Sequence, residues 1–89
     1  MQNETTAQQL TRYRAAGRLG LAAYLQMYVH LFTAAVCAEI RAPRQEAAAL
    51  DRFVTVTNTV RDTDVRTRLL AAAAAQAKGL PYALESLQK

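Results

Sequence analysis

Residues 4–41 read ETTAQQLTRYRAAGRLGLAAYLQMYVHLFTAAVCAEIR, and this stretch decides the fold. Apolar or small residues recur in it at spacings of three and four, which marks one face of a helix with a period of about 3.5 residues. This seam consists of Leu10, Tyr13, Gly17, Leu21, Tyr24, Tyr28, Leu31, Ala35 and Ala38. A second stripe widens the face and consists of Leu25, Phe32, Val36 and Ile40. The pattern predicts one helix over about residues 4–41.

Both ends of this helix carry boundary signals. Thr5 with Gln8, and Thr6 with Gln9, fit the spacing of a capping box, in which a threonine oxygen and a glutamine side chain satisfy free backbone amides. At the other end, the residue before Pro43 is forced out of the helical region, so the helix ends there.

Gly17 and Gly20 leave a second architecture open. Each glycine costs about 1 kcal/mol in a helix interior relative to alanine, so the pair could break the helix and leave a compact four-helix monomer. In an unbroken helix, Gly17 lies on the seam and would let another helix approach closely.

The rest of the chain predicts two further helices, over about 43–61 and 64–78. Pro43 suits a first helical position, and Asp62 or Thr63 can cap the next helix. Residues 54–60 alternate and are β-branched, which leaves a strand as the alternative. Gly79 and Pro81 end the last helix, and residues 82–87 form a short final turn or helix. The fold class is all-α, with residues 1–89 as a single domain.

The length of the first helix predicts more than one chain. At 1.5 Å per residue it would reach roughly 55 Å, while the other two would reach roughly 27 Å and 22 Å. Neither shorter helix covers it, so we expect a long αα-hairpin or three-helix unit that dimerises into a helical bundle.

Composition excludes several classes of protein. Nineteen residues are alanine, and the only cysteine, Cys37, cannot form an intrachain disulfide. With one histidine and no glycine-rich phosphate loop or metal-ligand spacing, the chain has no recognisable catalytic pattern. We therefore expect no enzyme activity, no cofactor and no metal. The first ten residues hold no Lys or Arg and no apolar block, so we expect a cytoplasmic protein.

Two kinds of surface are candidate binding sites. The dimer or partner interface is predicted on the first helix at Tyr13, Gly17, Leu21, Tyr24, Leu25, Tyr28, Leu31, Phe32 and Ala35. Contacts to phosphate or to an acidic partner are predicted at two arginine groups, Arg12, Arg14 and Arg18, and Arg61, Arg66 and Arg68. The formal net charge of +4 permits nucleic-acid binding without requiring it.

The sequence gives weaker support to two other functions, membrane insertion and metal binding. Residues 19–38 carry no formal charge and are long enough to span a bilayer, but their polar residues and central tyrosines argue against membrane insertion. His30 and Cys37 lie about 10 Å apart along one helix, too far to hold one metal ion.

Size, helix content and the missing catalytic pattern are typical of small bacterial regulators that bind a larger protein. The prediction is thus a non-enzymatic adaptor, anti-activator, inhibitor or chaperone that works as a helical homodimer. The alternative is a basic DNA-binding regulator or architectural protein that uses the two arginine groups.

Overall fold

The helix predicted over residues 4–41 is interrupted. The computed structural model describes residues 4–78 and residue 80, and this part of the chain is all-helical, without a strand. Its four helices are α1 (Thr6–Ala15), α2 (Leu21–Glu39), α3 (Pro43–Thr57) and α4 (Thr63–Ala77). The all-α class is confirmed. The single long helix is wrong, and the four-helix alternative is the architecture found.

Gly17 causes the interruption through its backbone. Its φ of 73° lies in the left-handed region that favours glycine. Its amide donates to the carbonyl of Arg14 (3.0 Å), and the amide of Arg18 donates to the carbonyl of Tyr13 (2.9 Å). This pair of bonds is a Schellman motif, which satisfies the last carbonyls of α1 and ends it. A Cβ at Gly17 would meet nothing within 4 Å, so close helix approach is not its role within this chain.

The other helix boundaries follow the predicted signals with small shifts. Thr5 caps α1, because its side chain accepts from the amide of Gln8 (3.1 Å) while the Gln8 side chain accepts from the amide of Thr5 (2.9 Å). Pro43 occupies the first turn of α3, and Asp62 caps α4 by accepting from the amide of Val65 (3.1 Å). Gly79, Pro81 and residues 82–87, which were predicted to end the last helix and form a final turn, lie outside the described residues.

The β-branched run after Phe53 is helical as far as Thr57. The hydroxyls of Thr55 and Thr57 donate to backbone carbonyls one turn earlier, at Asp51 (3.1 Å) and Phe53 (2.7 Å). Phe53 and Val54 are fully buried, so packing overrides the strand preference of the run. Helix α3 ends four residues before the predicted boundary at 61.

The core forms where α2 and α3 pack together as a hairpin and α1 and α4 close the sides. Its largest fully buried side chains are Tyr13, Phe53, Leu10, Met27, Leu50 and Leu69. The molecule measures 34 × 29 × 27 Å, which is shorter in every direction than the roughly 55 Å of an unbroken first helix. The overhang that predicted a second chain is therefore absent among the described helices, and self-association would have to use their exposed surface.

Candidate protein-interaction face

One side of α2 exposes a continuous apolar stripe. We call it the outer face, and it consists of Leu21, Leu25, Tyr28, Val29, Phe32, Val36 and Ile40. These side chains are between 42% and 68% exposed, with Ile40 and Phe32 the most exposed. They are the large hydrophobic side chains left exposed in the described part of the chain, and all belong to α2 or its C-terminal cap.

The outer face exists because α2 carries large apolar residues on two opposite sides. Met27, Leu31, Ala34 and Cys37 are buried on the opposite side. A surface helix of a globular protein normally directs its apolar residues at the core, yet α2 also directs large apolar residues away from it. Seven large side chains that are each 42–68% exposed present several hundred Å² of mainly apolar surface, comparable to the roughly 300–600 Å² of the largest apolar patch on a typical monomer, which is often functional.

Charge is confined to one end of the helix. Glu39 is the only formally charged residue of α2 and lies in its last turn. The first turn has no acidic residue, and Gly20 supplies no side-chain cap there. The N-terminal end of α2 therefore keeps the partial positive charge of its free amides, while Glu39 adds negative charge at the other end.

The predicted interface residues divide between this surface and the interior. Leu21, Leu25, Tyr28 and Phe32 lie on the outer face, and Ala35 is exposed beside them. The rest do not lie on it: Tyr13 and Leu31 are in the chain's own core, Gly17 is in the turn after α1, and Tyr24 is half-buried.

Two tyrosines connect the outer face to α1. The hydroxyls of Tyr24 and Thr11 lie 3.3 Å apart, and the ring centroids of Tyr24 and Tyr28 are 5.8 Å apart. Tyr24 therefore lies between α1 and the outer face and packs against Tyr28 at the edge of that face. The structure adds Val29, Val36 and Ile40 to the face, of which the last two belonged to the second sequence stripe.

Most of the predicted phosphate-binding arginines already have partners within the chain. Arg12 pairs with Glu4 (2.7 Å), and two arginines donate to carbonyls, Arg14 to Leu19 (3.1 Å) and Arg66 to Val60 (2.9 Å). Arg12 would have to exchange Glu4 for a phosphate, whereas Arg14 and Arg66 each use one donor on a neutral carbonyl and keep their charge and their remaining N–H donors. The nucleic-acid alternative therefore stays a prediction.

The structure joins the two arginine groups through acidic residues. Arg18 pairs with Asp62 and Asp64 at 3.0 Å each, and Arg68 also pairs with Asp64 at 3.0 Å. Hydrogen bonds from Arg18 and Arg68 lower the pKa of these two carboxyl groups. Arg61 lines a cavity of about 350 Å³ together with Arg14 and Arg18 at the turns. The cluster ties the α1–α2 turn to the start of α4, which is a structural role.

His30 and Cys37 form no metal site in the described residues, where no group of three potential ligands occurs. Burial, and then the positive charge of Arg52, lowers the pKa of His30, so the imidazole is neutral at pH 7. Within the same residues, α2 is the one helix long and apolar enough to cross a membrane, by length and composition alone.

No protein-family model, curated protein or solved structure matches this chain.

Proposed function

We propose that this chain is a small non-enzymatic regulatory protein that acts by binding a larger protein, as adaptors, anti-activators, inhibitors and chaperones do. The observation that carries the proposal is the outer face of α2, a stripe of exposed leucine, valine, isoleucine and aromatic side chains along a whole helix. Exposed apolar patches of this size typically mark interaction sites.

The chemistry of the face favours a protein over a lipid surface. Helices that lie on membranes usually carry Lys and Arg on the side opposite their apolar residues. Helix α2 contains neither, and its other side is buried. Aromatic side chains such as Tyr28 and Phe32 are enriched at the centres of protein interfaces, and an apolar helix face fits a groove on a partner.

The test is retention of proteins from an extract of the native host by the immobilised full chain, quantified by mass spectrometry. Phe32→Glu places a charge at the centre of the outer face, and Ala48→Glu places the same charge at an exposed position on α3. We expect a specific protein retained by the wild type and by Ala48→Glu but lost with Phe32→Glu. Identical sets of retained proteins for all three would refute the proposal.

A further inference from the structure

The outer face of α2 has internal symmetry. Six of its residues, which we call the palindromic stripe, follow the spacing 4-4-3-4-4 and are Leu21, Leu25, Val29, Phe32, Val36 and Ile40. Reversing the helix about the point between residues 30 and 31 places each apolar residue opposite another, with Val29 opposite Phe32. Such self-complementarity is what a two-fold symmetric interface between identical chains requires, because each contact then occurs twice.

From this symmetry we infer that, when the protein is free, the outer face binds a second copy of the same chain, with the two α2 helices antiparallel. The inference rests on the proposed function in one respect, that the same face also binds the larger partner.

The area of the face is of the size that a dimer interface uses. Seven large side chains that are each 42–68% exposed present several hundred Å² per chain, and a standard-size interface buries about 800 Å² per partner. The stripe from Leu21 to Ile40 extends over roughly 28 Å, at 1.5 Å per residue. Antiparallel packing of two such helices inside a dimer forms the centre of a helical bundle.

Charge selects the antiparallel orientation. In that arrangement Glu39 of each copy lies level with Ala22, in the first turn of α2 in the second copy. That turn has free amides, no side-chain cap and no acidic residue, so a carboxylate beside it is favourable. A parallel pair would instead place the two Glu39 carboxylates near each other and align the two helix dipoles.

One consequence concerns regulation. The described residues offer one large apolar surface, so a second copy and the larger partner cannot occupy it together. The dimer is then a closed form, and binding of the larger partner requires its dissociation. Apparent affinity for the partner should therefore fall as the total concentration of this protein rises above the dimer dissociation constant.

The test begins with the full chain alone, by sedimentation velocity and light scattering between about 1 and 100 µM, a range that brackets ordinary dimer affinities. We expect twice the chain mass of 9.8 kDa. Phe32→Glu should weaken the dimer at least about 100-fold, because the substitution occurs twice at the centre of one interface. Ala48→Glu should leave it unchanged, and circular dichroism should show equal helix content in all three.

Orientation is tested by disulfide formation in a Cys37→Ala background, which removes the native thiol. Leu25 and Val36 are opposite each other in the antiparallel pair. A one-to-one mixture of the single variants Leu25→Cys and Val36→Cys should form the mixed disulfide under mild oxidation. Leu25→Cys alone should not form a disulfide, and rapid crosslinking of that variant with itself would overturn the antiparallel orientation.

The outcomes separate this inference from the proposed function. A single-chain mass at 100 µM, or a dimer insensitive to Phe32→Glu, overturns the inference and leaves the retention experiment unaffected. A single-chain mass combined with cosedimentation with phosphatidylglycerol vesicles assigns the face to lipid and also overturns it. A dimer that Phe32→Glu dissociates, with no protein whose retention depends on Phe32, supports the inference and counts against the proposed function alone.

Discussion

Replacing Gly17 with alanine tests the architecture, because the two candidate folds predict opposite signs. In the structure Gly17 has a φ of 73° and open space where a Cβ would lie. The cost of Gly17→Ala is therefore conformational and not steric. In an unbroken helix over residues 4–41 the same substitution would remove a helix-destabilising glycine and increase stability by about 1 kcal/mol.

The expected magnitude follows from two opposing terms. A non-glycine residue in the left-handed region costs roughly 1–2 kcal/mol. Alanine also has less freedom than glycine in the unfolded chain, which offsets roughly 0.4–1 kcal/mol of that loss. We expect Gly17→Ala to lower the free energy of unfolding by about 1 kcal/mol, which corresponds to a fall in Tm of roughly 4–8 °C for a domain of this size.

The assay is urea unfolding at 25 °C, followed by circular dichroism at one fixed protein concentration, with the m-value held as a check on two-state behaviour. Gly20→Ala is the matched control. Gly20 has a φ of −66° and the same open surroundings, so alanine fits there without strain. The unfolded-state gain of roughly 0.4–1 kcal/mol applies to Gly20→Ala as well, but alanine is a poorer N-cap for α2 than glycine, so we expect the two effects to offset each other to within about 0.5 kcal/mol. Stabilisation by both substitutions would refute the turn and support the continuous helix.

Three further predictions concern single positions. Arg41 holds a φ of 57° after α2, so Arg41→Gly should raise the unfolding free energy by about 0.5–1 kcal/mol in the same urea assay, and a decrease would contradict the left-handed cap. Phe53 is fully buried, so Phe53→Ala should cost about 3–5 kcal/mol by chemical unfolding, and a loss below about 1 kcal/mol would show that it is not a core residue. Burial lowers the pKa of His30 in the folded state below its usual 6.5, so the unfolded chain binds the proton first. The stabilising effect of neutral His30 is full above pH 6.5 and is lost as the pH falls below that value. The Tm of the wild type should therefore drop between pH 7.5 and 5.5, and the Tm of His30→Gln should drop less. Equal drops in the two proteins would contradict the role assigned to His30.

The contrast between predicted and observed interface residues has a specific cause. The sequence seam counts Tyr13, Gly17 and Leu31 as one face because the spacing continues across residues 17–20. The Schellman turn at Gly17 ends that continuity, so α1 and α2 point their apolar sides independently. Tyr13 then enters the core from α1, and Leu31 enters it from α2. The sequence alone does not distinguish a glycine in a left-handed turn, such as Gly17, from a glycine on the face of a continuous helix.

The outer face was only partly predictable. Helix α2 has large apolar residues on two opposite sides, so its periodicity does not indicate which of the two is covered. Leu21, Leu25, Tyr28 and Phe32 were expected at an interface, but Val36 and Ile40 were expected only to widen the apolar face of the first helix. The position of α3 decides which side is buried.

The sequence by itself determined the helical class, the capping signals at Thr5, Pro43 and Asp62, and the apolar character of α2, because these depend on neighbouring residues and their intrinsic preferences. Only the tertiary structure decided that the chain turns at Gly17 and that one side of α2 faces solvent. The sequence leaves the turn open because a glycine costs only about 1 kcal/mol in a helix, which is too little to choose between a break and a continuous helix. The covered side of α2 depends on its packing against α3, which is distant in the sequence.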